Sequence, residues 1–582
     1  MIVYGASKIN DISIVLCGAA GQGIQTVEAL LTKTLKRTGY HVFATREYMS
    51  RVRGGVNSTE IRVSSKPVRA YVDRIDILIP LNEAALPHLK ERISPDTLVI
   101  GEKRYLETIS DIKFEILSIP FTELSNEVGG AIYANIIALG VILCILNAER
   151  TILLDLLSEN FKSKGQEIIN NNIKAVDKGY EVVEQKLASR IVNKKRFEIP
   201  RNTDIIDNYI LDGTQAIALG AIAGGCNFAC FYPMAPSTGI GTFLAQHALE
   251  FDMIVDQTED EISAINKTLG ASYAGARSFV STSGGGFSLM TEGISLAGMT
   301  ELPIVMVVGQ RPGPATGMPT RTSQEDIELV LYAGAGWFPR IIFSPGSLED
   351  AFKLTQKAFN LTQKYHVPVF ILTDQYLVDS YYNISSLDLD SLEIIKNIVE
   401  THKYYERYRF TDNGISPRGI PGYGEGLVDA DSHTHDEYGA ITEDPIIRNK
   451  TVEKRFKKLE VIKKETIPPE FYGVKKHKYL IVSWGSNFYL IKEALERLDR
   501  DDIGFLFFKQ IYPIHESALD YLTNAEIRIS IEQNPTAQFA KLLENETHIN
   551  MNHRILKYSG YIFSVEEILE RLKNIIGGEK DN

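Results

Sequence analysis

Along most of the chain, short apolar runs of strand length alternate with stretches whose apolar positions recur at helical spacing. Ile12–Cys17 is such a run. It enters a glycine-rich turn, and Val27, Leu30, Leu31 and Leu35 then mark one face of a helix over Ile24–Thr38. Ser58–Val63 reads as a further strand. Gly213–Gly225 is a helix of small and aliphatic residues suited to close packing. The β-branched strand Ser278–Thr282 runs into Gly284-Gly285-Gly286, with a helix over Leu289–Met299 and a strand over Ile304–Val308. Arg340–Tyr365 and Val367–Thr373 make another strand–helix unit and close this region near residue 385. Strands at Tyr479–Ser483, Gly504–Phe508 and Ile527–Glu532 carry the last alternation. Strands alternating with helices predict parallel sheets. The fold class is therefore α/β, with three parallel-sheet α/β domains over residues 1–190, 201–385 and 477–582 and an irregular segment over 386–476.

Elsewhere the pattern breaks. Val183–Pro200 is charged and loses its apolar period, which predicts a linker. The loop Gln310–Gln324 (QRPGPATGMPTRTSQ) has three prolines and two glycines, too many for a helix or a strand. The Lys-rich stretch Val452–Lys464 is expected to be a solvated helix. Gly129–Leu146 is long and apolar enough to raise the question of a membrane span, but Tyr133 and Asn135 within it favour a buried helix of an α/β domain. Composition agrees: 582 residues, 44% hydrophobic and 23% charged, fit a soluble protein with several cores. A net charge of −12 argues against nucleic acid as the main partner, which needs a basic face. The four cysteines form no C-x-x-C pair and match no common zinc or cluster spacing. They are expected to be reduced, buried thiols of a cytoplasmic protein. The start MIVYGASKIND lacks the basic segment and apolar core of a signal peptide.

Several stretches carry candidate chemistry. Pro233 and Pro236 bracket Met234 and Ala235, and their fixed φ makes Tyr232–Pro236 a stiff turn at a strand end, with Ser237 and Thr238 beside it. Glu261 ends Thr258-Glu259-Asp260-Glu261, the spacing of a capping box with Thr258 at the N-cap and Glu261 at the third helical position. By spacing alone, that accounts for the residue. Gly284-Gly285-Gly286 permits a close backbone approach or a turn with positive φ. Gly18-Ala19-Ala20-Gly21-Gln22-Gly23, between a strand and a helix, is a candidate anion cradle. Its G-x-x-G-x-G order does not fit a nicotinamide fingerprint. Arg51, Arg53 and Arg62 suit phosphates or a solvated surface. Arg321, with Arg311 at the far end of its loop, offers a planar fork to a carboxylate. His433, His435, Asp436 and Glu437 have metal-ligand chemistry, yet an ordered polar loop is the expected reading.

The turn Tyr232–Pro236, the acid Glu261 opening a helix and the run Thr282-Ser283-Gly284-Gly285-Gly286-Phe287 resemble the pyrimidine-binding domain of the 2-oxoacid:ferredoxin oxidoreductases. These are thiamine-diphosphate enzymes that use ferredoxin in place of NAD. The family's turn carries Thr where this chain has Ala235. The Gly21-Gln22-Gly23 turn with Arg51-Val52-Arg53-Gly54-Gly55 looks like the gamma domain of the same enzymes, fused ahead of the alpha domain. Ile415-Ser416-Pro417-Arg418 and His435-Asp436-Glu437 are similar to a segment between the family's two alpha domains. The C-terminal alternation resembles its second alpha domain, which is related to the C-terminal domain of transketolases. The resemblance covers nearly the whole chain and is closest to the 2-oxoglutarate type.

The resemblance implies a coenzyme A-associated domain over 1–190, in which Gly21, Gly23 and Arg53 take part, and a pyrimidine-binding domain over 201–385. It implies structural and interface work, not chemistry, for 477–582. Glu261 would hydrogen-bond N1′ of the thiamine aminopyrimidine, favouring the tautomer whose 4′-nitrogen takes the C2 proton. Gly284, Gly285 and Gly286 would line the cofactor. Arg321 would hold the substrate's 1-carboxylate beside Tyr232, Pro233 and Ala235, with Ser237, Thr238 or a backbone N–H replacing the missing hydroxyl. No Gly-Asp-Gly followed by a spaced Asn, the family's hold on Mg²⁺ and diphosphate, occurs here, and neither do cluster-binding cysteines. A beta subunit would therefore supply diphosphate, Mg²⁺ and a [4Fe–4S] cluster, in a heterodimer or a dimer of heterodimers. The implied reaction is oxidative decarboxylation of a 2-oxoacid with coenzyme A to acyl-CoA and CO2, electrons passing to ferredoxin. The expected oxoacid is 2-oxoglutarate, with pyruvate or a branched-chain oxoacid as alternatives. Two rivals stand beside this reading: a non-catalytic coenzyme A-binding or scaffold subunit with a decayed site, as Ala235 hints, and a stand-alone NAD-dependent enzyme, which the glycine spacing disfavours.

Overall fold

The computed structural model describes residues 11–19, 24–50, 55–107, 113–188 and 197–578. The chain forms two compact units. One consists of the described residues up to Leu211, joined by Ser380–Ser386 and Ser564–Glu566; the other holds the remainder.

The first unit is built on an eight-stranded sheet in the order Glu115–Ser118, Leu98–Gly101, Ile77–Pro80, Asp11–Ala19, Val56–Ser64, His41–Glu47, Tyr381–Ile384, Tyr209–Asp212. It is mixed where a parallel sheet was expected. Val56–Ser64 runs antiparallel to both of its neighbours, Asp11–Ala19 and His41–Glu47. The reason is topological: the short connection between His41–Glu47 and Val56–Ser64 is too brief for a crossover, so the pair closes as a hairpin. The four strands from Asp11 outward to Ser118 are parallel. The apolar run after Gly129 is a buried helix, Ala134–Ile145, as its composition predicts. It lies against the helix Gln166–Ala188 with backbones in near contact: a Cβ at Gly140 would come within 2.6 Å of the Val176 carbonyl oxygen. The run bends by 116° where it meets Phe121–Val128, and among the described residues no single helix is long and apolar enough to cross a membrane. The first part of the linker expected from Val183 is helix instead, because Gln166–Ala188 carries Glu, Gln and Lys residues, which are good helix formers, and Val183 is fully buried; residues 189–196 lie outside the described residues.

Two sheets make up the second unit. The larger has the order Gln510–Tyr512, Ile341–Phe343, Val369–Asp374, Ile304–Gln310, Ser278–Ser283, Phe228–Phe231, Ile254–Gln257, and only Gln510–Tyr512 is antiparallel. The other has the order Glu470–Tyr472, Ile503–Phe508, Tyr479–Trp484, Ile527–Glu532, His553–Leu556, antiparallel only at Glu470–Tyr472. Directly after Phe508 the chain leaves the smaller sheet and adds Gln510–Tyr512 to the edge of the larger one.

The Lys-rich stretch is helical as expected, with Lys457, Lys463 and Lys464 exposed, but one face of it is not solvated. Pro445–Lys463 buries Lys454 and Lys458, one turn apart on one face. Both reach the same carboxylate, Glu301, at 2.6 and 2.7 Å. Glu301 caps the C-terminus of the helix Gly284–Thr300 in the left-handed region, and Arg407 donates to the Thr300 and Glu301 carbonyls beside it. Burial by itself would raise the Glu301 carboxyl, but Lys454, Lys458 and Arg407 hold it well below the usual range. Burial in turn lowers the Lys454 ammonium to about 8. The irregular segment is thus fastened to the larger sheet by a buried charge cluster. Removing the carboxylate would strand two buried cations. Glu301→Ala should therefore cost about 3–5 kcal/mol of stability, read by denaturant unfolding; a loss below about 1 kcal/mol would mean that water already reaches both lysines.

Candidate active site

At the carboxyl ends of the larger sheet's strands, Phe228–Phe231 leads into the proline turn, Ser278–Ser283 into the glycine triplet and Ile304–Gln310 into the proline-rich loop. Carboxyl ends of parallel strands are the usual place for a ligand crevice.

The capping box is not formed as its spacing predicts. Asp260 is the N-cap, its carboxylate accepting the Ser263 N–H at 2.7 Å, and Glu261 is the first helical residue of Glu261–Tyr273. Thr258 is occupied elsewhere, its hydroxyl donating to the Asp260 carbonyl at 2.9 Å. Asp260 wins because its carboxylate, one residue before the helix, meets the orphan N–H directly. Glu261 is left without a capping role. It is 3% exposed, and its Oε1 meets no hydrogen-bond partner among the described residues. Burial raises its carboxyl above the ordinary value, its own backbone N–H opposes that, and the Asp260 charge adds to it.

The three glycines open the helix Gly284–Thr300 without positive φ, so their use is close approach. A Cβ at Gly286 would lie 2.6 Å from Glu261 Oε1, and one at Gly284 would lie 2.6 Å from both oxygens of Asp326. At Gly285 a Cβ would stand 3.4 Å from the Ala315 carbonyl of the proline-rich loop. An acid on each side of one helix start is held at contact distance only because the side chains are missing.

At the proline turn, Tyr232 is partly exposed and Pro233, Ala235 and Thr238 are half-buried. Ser237 is buried, and its hydroxyl donates to the Met234 carbonyl at 2.9 Å, which commits its proton to the turn itself. Arg311 joins this turn: its Nη1 donates to the Ala235 carbonyl at 2.7 Å, while its buried Nε has no acceptor among the described residues. Arg321 is buried, with its guanidinium carbon 4.6 Å from the centre of the Tyr561 ring. The loop that carries the two arginines is tied down at its end by buried polar groups that sequence reasoning missed. Gln324 donates its backbone N–H to the Gln533 carbonyl (2.8 Å) and its side-chain amide to the Trp484 carbonyl (3.2 Å). Its Oε1 accepts from Asn487 Nδ2 and the Gln533 N–H. The only outward signal was Trp484-Gly485-Ser486-Asn487 and Glu532-Gln533-Asn534, polar runs placed directly at strand ends.

The other sequence-derived candidates fall as follows. Gly21, Gly23, Arg51 and Arg53 lie outside the described residues. Arg62 is not available for a phosphate. It is buried in its strand, with Nε and Nη2 on Asp11 at 3.0 and 2.7 Å and Nη1 on the Ala70 carbonyl, because Asp11 lies on the neighbouring strand two residues along from Ser13, which is directly across from Arg62. All four cysteines are free and buried, as expected, and burial pushes the Cys226 thiol up to about 12. The His433–Glu437 segment is an ordered loop: His435 is buried against Tyr408, and Glu437 accepts the Phe410 N–H. No group that could hold a metal ion occurs among the described residues.

A family model described as "Pyruvate flavodoxin/ferredoxin oxidoreductase, thiamine diP-bdg" matches residues 219–454, and one described as "Pyruvate ferredoxin/flavodoxin oxidoreductase" matches residues 13–182. The 2-oxoacid:ferredoxin oxidoreductase subunit alpha of a Sulfolobus species is 31% identical over 98% of both chains. The 2-oxoglutarate synthase subunit KorA of Methanocaldococcus jannaschii is 34% identical over 54% of this chain and 85% of its own length. Among solved structures, the 2-oxoglutarate:ferredoxin oxidoreductase from Magnetococcus marinus, with 2-oxoglutarate, coenzyme A and succinyl-CoA bound, superposes with a TM-score of 0.90 at 29% identity, covering 97% of this chain and 100% of that one.

Asp326 gives the site a pH signature. Burial, then the Glu325 charge, raise its carboxyl to about 7 against the pull of Arg311. Between 3.8 and about 7 the folded chain holds a proton that the unfolded chain has released, so stability falls as pH rises through that window. Asp326→Asn, which does not titrate, should lose less melting temperature between pH 5 and 8 than the parent; parallel pH profiles would show Asp326 ionised throughout.

Proposed function

Because this chain belongs to the 2-oxoacid:ferredoxin oxidoreductase alpha-subunit family, we propose that it forms the pyrimidine half of a thiamine-diphosphate site and the oxoacid-binding loop beside it. The observation that carries the reading is Glu261, a buried carboxyl group with one oxygen unpartnered, facing a helix start stripped of side chains. An aminopyrimidine would suit that place, since it is flat and carries a ring nitrogen able to pair with the unpartnered oxygen. The fit is therefore good on the chain's own geometry. When bound, thiamine diphosphate supplies the carbanion chemistry of oxoacid decarboxylation.

The protein's share is to hold and to orient. Glu261 would hydrogen-bond the ring nitrogen through its unpartnered Oε1, and burial raises its carboxyl above the ordinary value. Gly284, Gly285 and Gly286 let the ring approach the backbone. Arg321 presents its guanidinium edge to the 1-carboxylate, and Arg311 fixes the turn of Tyr232, Pro233 and Ala235 by its bond to the Ala235 carbonyl. With Ser237's proton directed inward, Thr238 or Arg311 Nε stands in for the hydroxyl that Ala235 lacks. The preferred oxoacid is 2-oxoglutarate, in keeping with the relatives named for it, and the N-terminal unit helps to bind coenzyme A. Diphosphate, Mg²⁺ and a [4Fe–4S] cluster come from a beta subunit that passes electrons to ferredoxin, in a heterodimer or a dimer of heterodimers. Four reduced cysteines suit a cytoplasmic setting.

Glu261→Gln in the two-subunit enzyme should lower oxoacid-dependent ferredoxin reduction by about 10²–10⁴-fold. It should leave the melting temperature nearly unchanged, because Asp260 makes the cap. Activity within a few-fold of the parent would remove Glu261 from the chemistry. For the substrate, Arg321→Lys keeps the charge but loses the planar fork, and should lower kcat/KM for 2-oxoglutarate by about 10–100-fold; an unchanged value would pass the role to Arg311.

A further inference from the structure

The C-terminal residues 557–563 reach the oxoacid loop. Gly560 accepts the Thr322 N–H at 3.0 Å through its carbonyl, and it stands in the left-handed region with φ +83°. A side chain there would be strained by that φ and tightly packed: a Cβ would meet Arg321 Cβ at 3.1 Å and Met318 Sδ at 3.2 Å. The next residue, Tyr561, then lies with its ring centre 4.6 Å from the Arg321 guanidinium carbon. The segment is fixed at both ends. Lys557 donates its N–H to the Glu532 carbonyl at 3.1 Å, and Phe563 is fully buried. Tyr561 itself remains 44% exposed beside an arginine that is 9% exposed.

A long arginine side chain loses its geometry easily, and a bidentate clamp needs the guanidinium plane to be set before the carboxylate arrives. An aromatic ring over one face sets that plane while leaving the N–H edge open. We propose that Tyr561 is a positioning residue for the known reaction, holding the Arg321 guanidinium in the orientation that receives the oxoacid's 1-carboxylate. This rests on the reading of Arg321 as the carboxylate clamp. It gives the C-terminal region a part in substrate binding that its sequence did not suggest. It also suits Gly560, whose left-handed backbone favours glycine at the residue that precedes the ring.

The test uses the two-subunit enzyme with 2-oxoglutarate, coenzyme A and ferredoxin. Tyr561→Ala should raise the KM for 2-oxoglutarate about tenfold while kcat stays within about threefold, and should leave the KM for coenzyme A unchanged. Tyr561→Phe keeps the ring and should restore the oxoacid KM to within about threefold of the parent. Saturating 2-oxoglutarate should raise the melting temperature less in Tyr561→Ala than in Tyr561→Phe, a readout independent of turnover. If Tyr561 acts through Arg321, Tyr561→Ala adds nothing to an Arg321→Ala enzyme. Additive losses would overturn the proposal. An Arg321→Ala enzyme with a raised oxoacid KM beside a Tyr561→Ala enzyme with a normal one would overturn it alone. A normal oxoacid KM in Arg321→Ala would instead overturn the clamp on which it stands. Should Tyr561→Ala fail to fold, Tyr561→Leu keeps apolar bulk without a π face and carries the same expectations.

Discussion

The loop that faces the site has no ladder of its own, and the side chain of Gln324 takes the place of one. Its amide and backbone make four hydrogen bonds, to Trp484, Asn487 and Gln533, at the carboxyl ends of two neighbouring strands of the smaller sheet. All four residues are buried, so any bond left unmade would cost the desolvation of a polar group. Thr322, two residues before, adds a bond from its N–H to Gly560, and its hydroxyl accepts the Tyr376 N–H. The positions of Arg321 and Asp326 follow from that joint, since three prolines and two glycines offer the loop few alternatives. Without Gln324 the loop would have sequence chemistry but no register.

What could be read in the sequence was local. The α/β alternation, the buried apolar helix, the proline turn and the glycine triplet all rest on spacing within about fifteen residues, and the strands stand close to where their apolar runs placed them. What escaped was set by distant partners. Lys454 and Lys458 look solvated until Glu301, more than 150 residues earlier, comes between them. Arg62 looks like a phosphate ligand until Asp11 crosses from the next strand. The helix cap at Asp260 differs for a subtler reason: Thr258 and Asp260 both suit an N-cap, and the strand Ile254–Gln257, ending just before Thr258, decides which one meets the first turn. Arg311 was placed at the loop's far end, but nothing in its spacing ties it to Ala235.

The proline turn has Ala235 where the resemblance implies a threonine, and the residues around it hold the turn without a hydroxyl at that position. Arg311 holds the turn by the backbone carbonyl, a group every residue has, so the turn's position does not depend on the missing hydroxyl. Ser237 stabilises the same turn from inside. An alanine at this position thus leaves the turn's own hydrogen bonds intact.

The strand Gln510–Tyr512, which crosses from the smaller sheet to the edge of the larger, orders events in time. During synthesis, Ile341–Phe343 emerges long before the strand that covers its free edge. Until then its outer N–H and carbonyl groups stay open to any extended chain nearby. A fragment ending near residue 385 would keep that edge permanently, inviting association with its own copies. The unit is therefore poorly suited to being divided, by gene fission or by proteolysis, anywhere between residues 344 and 509.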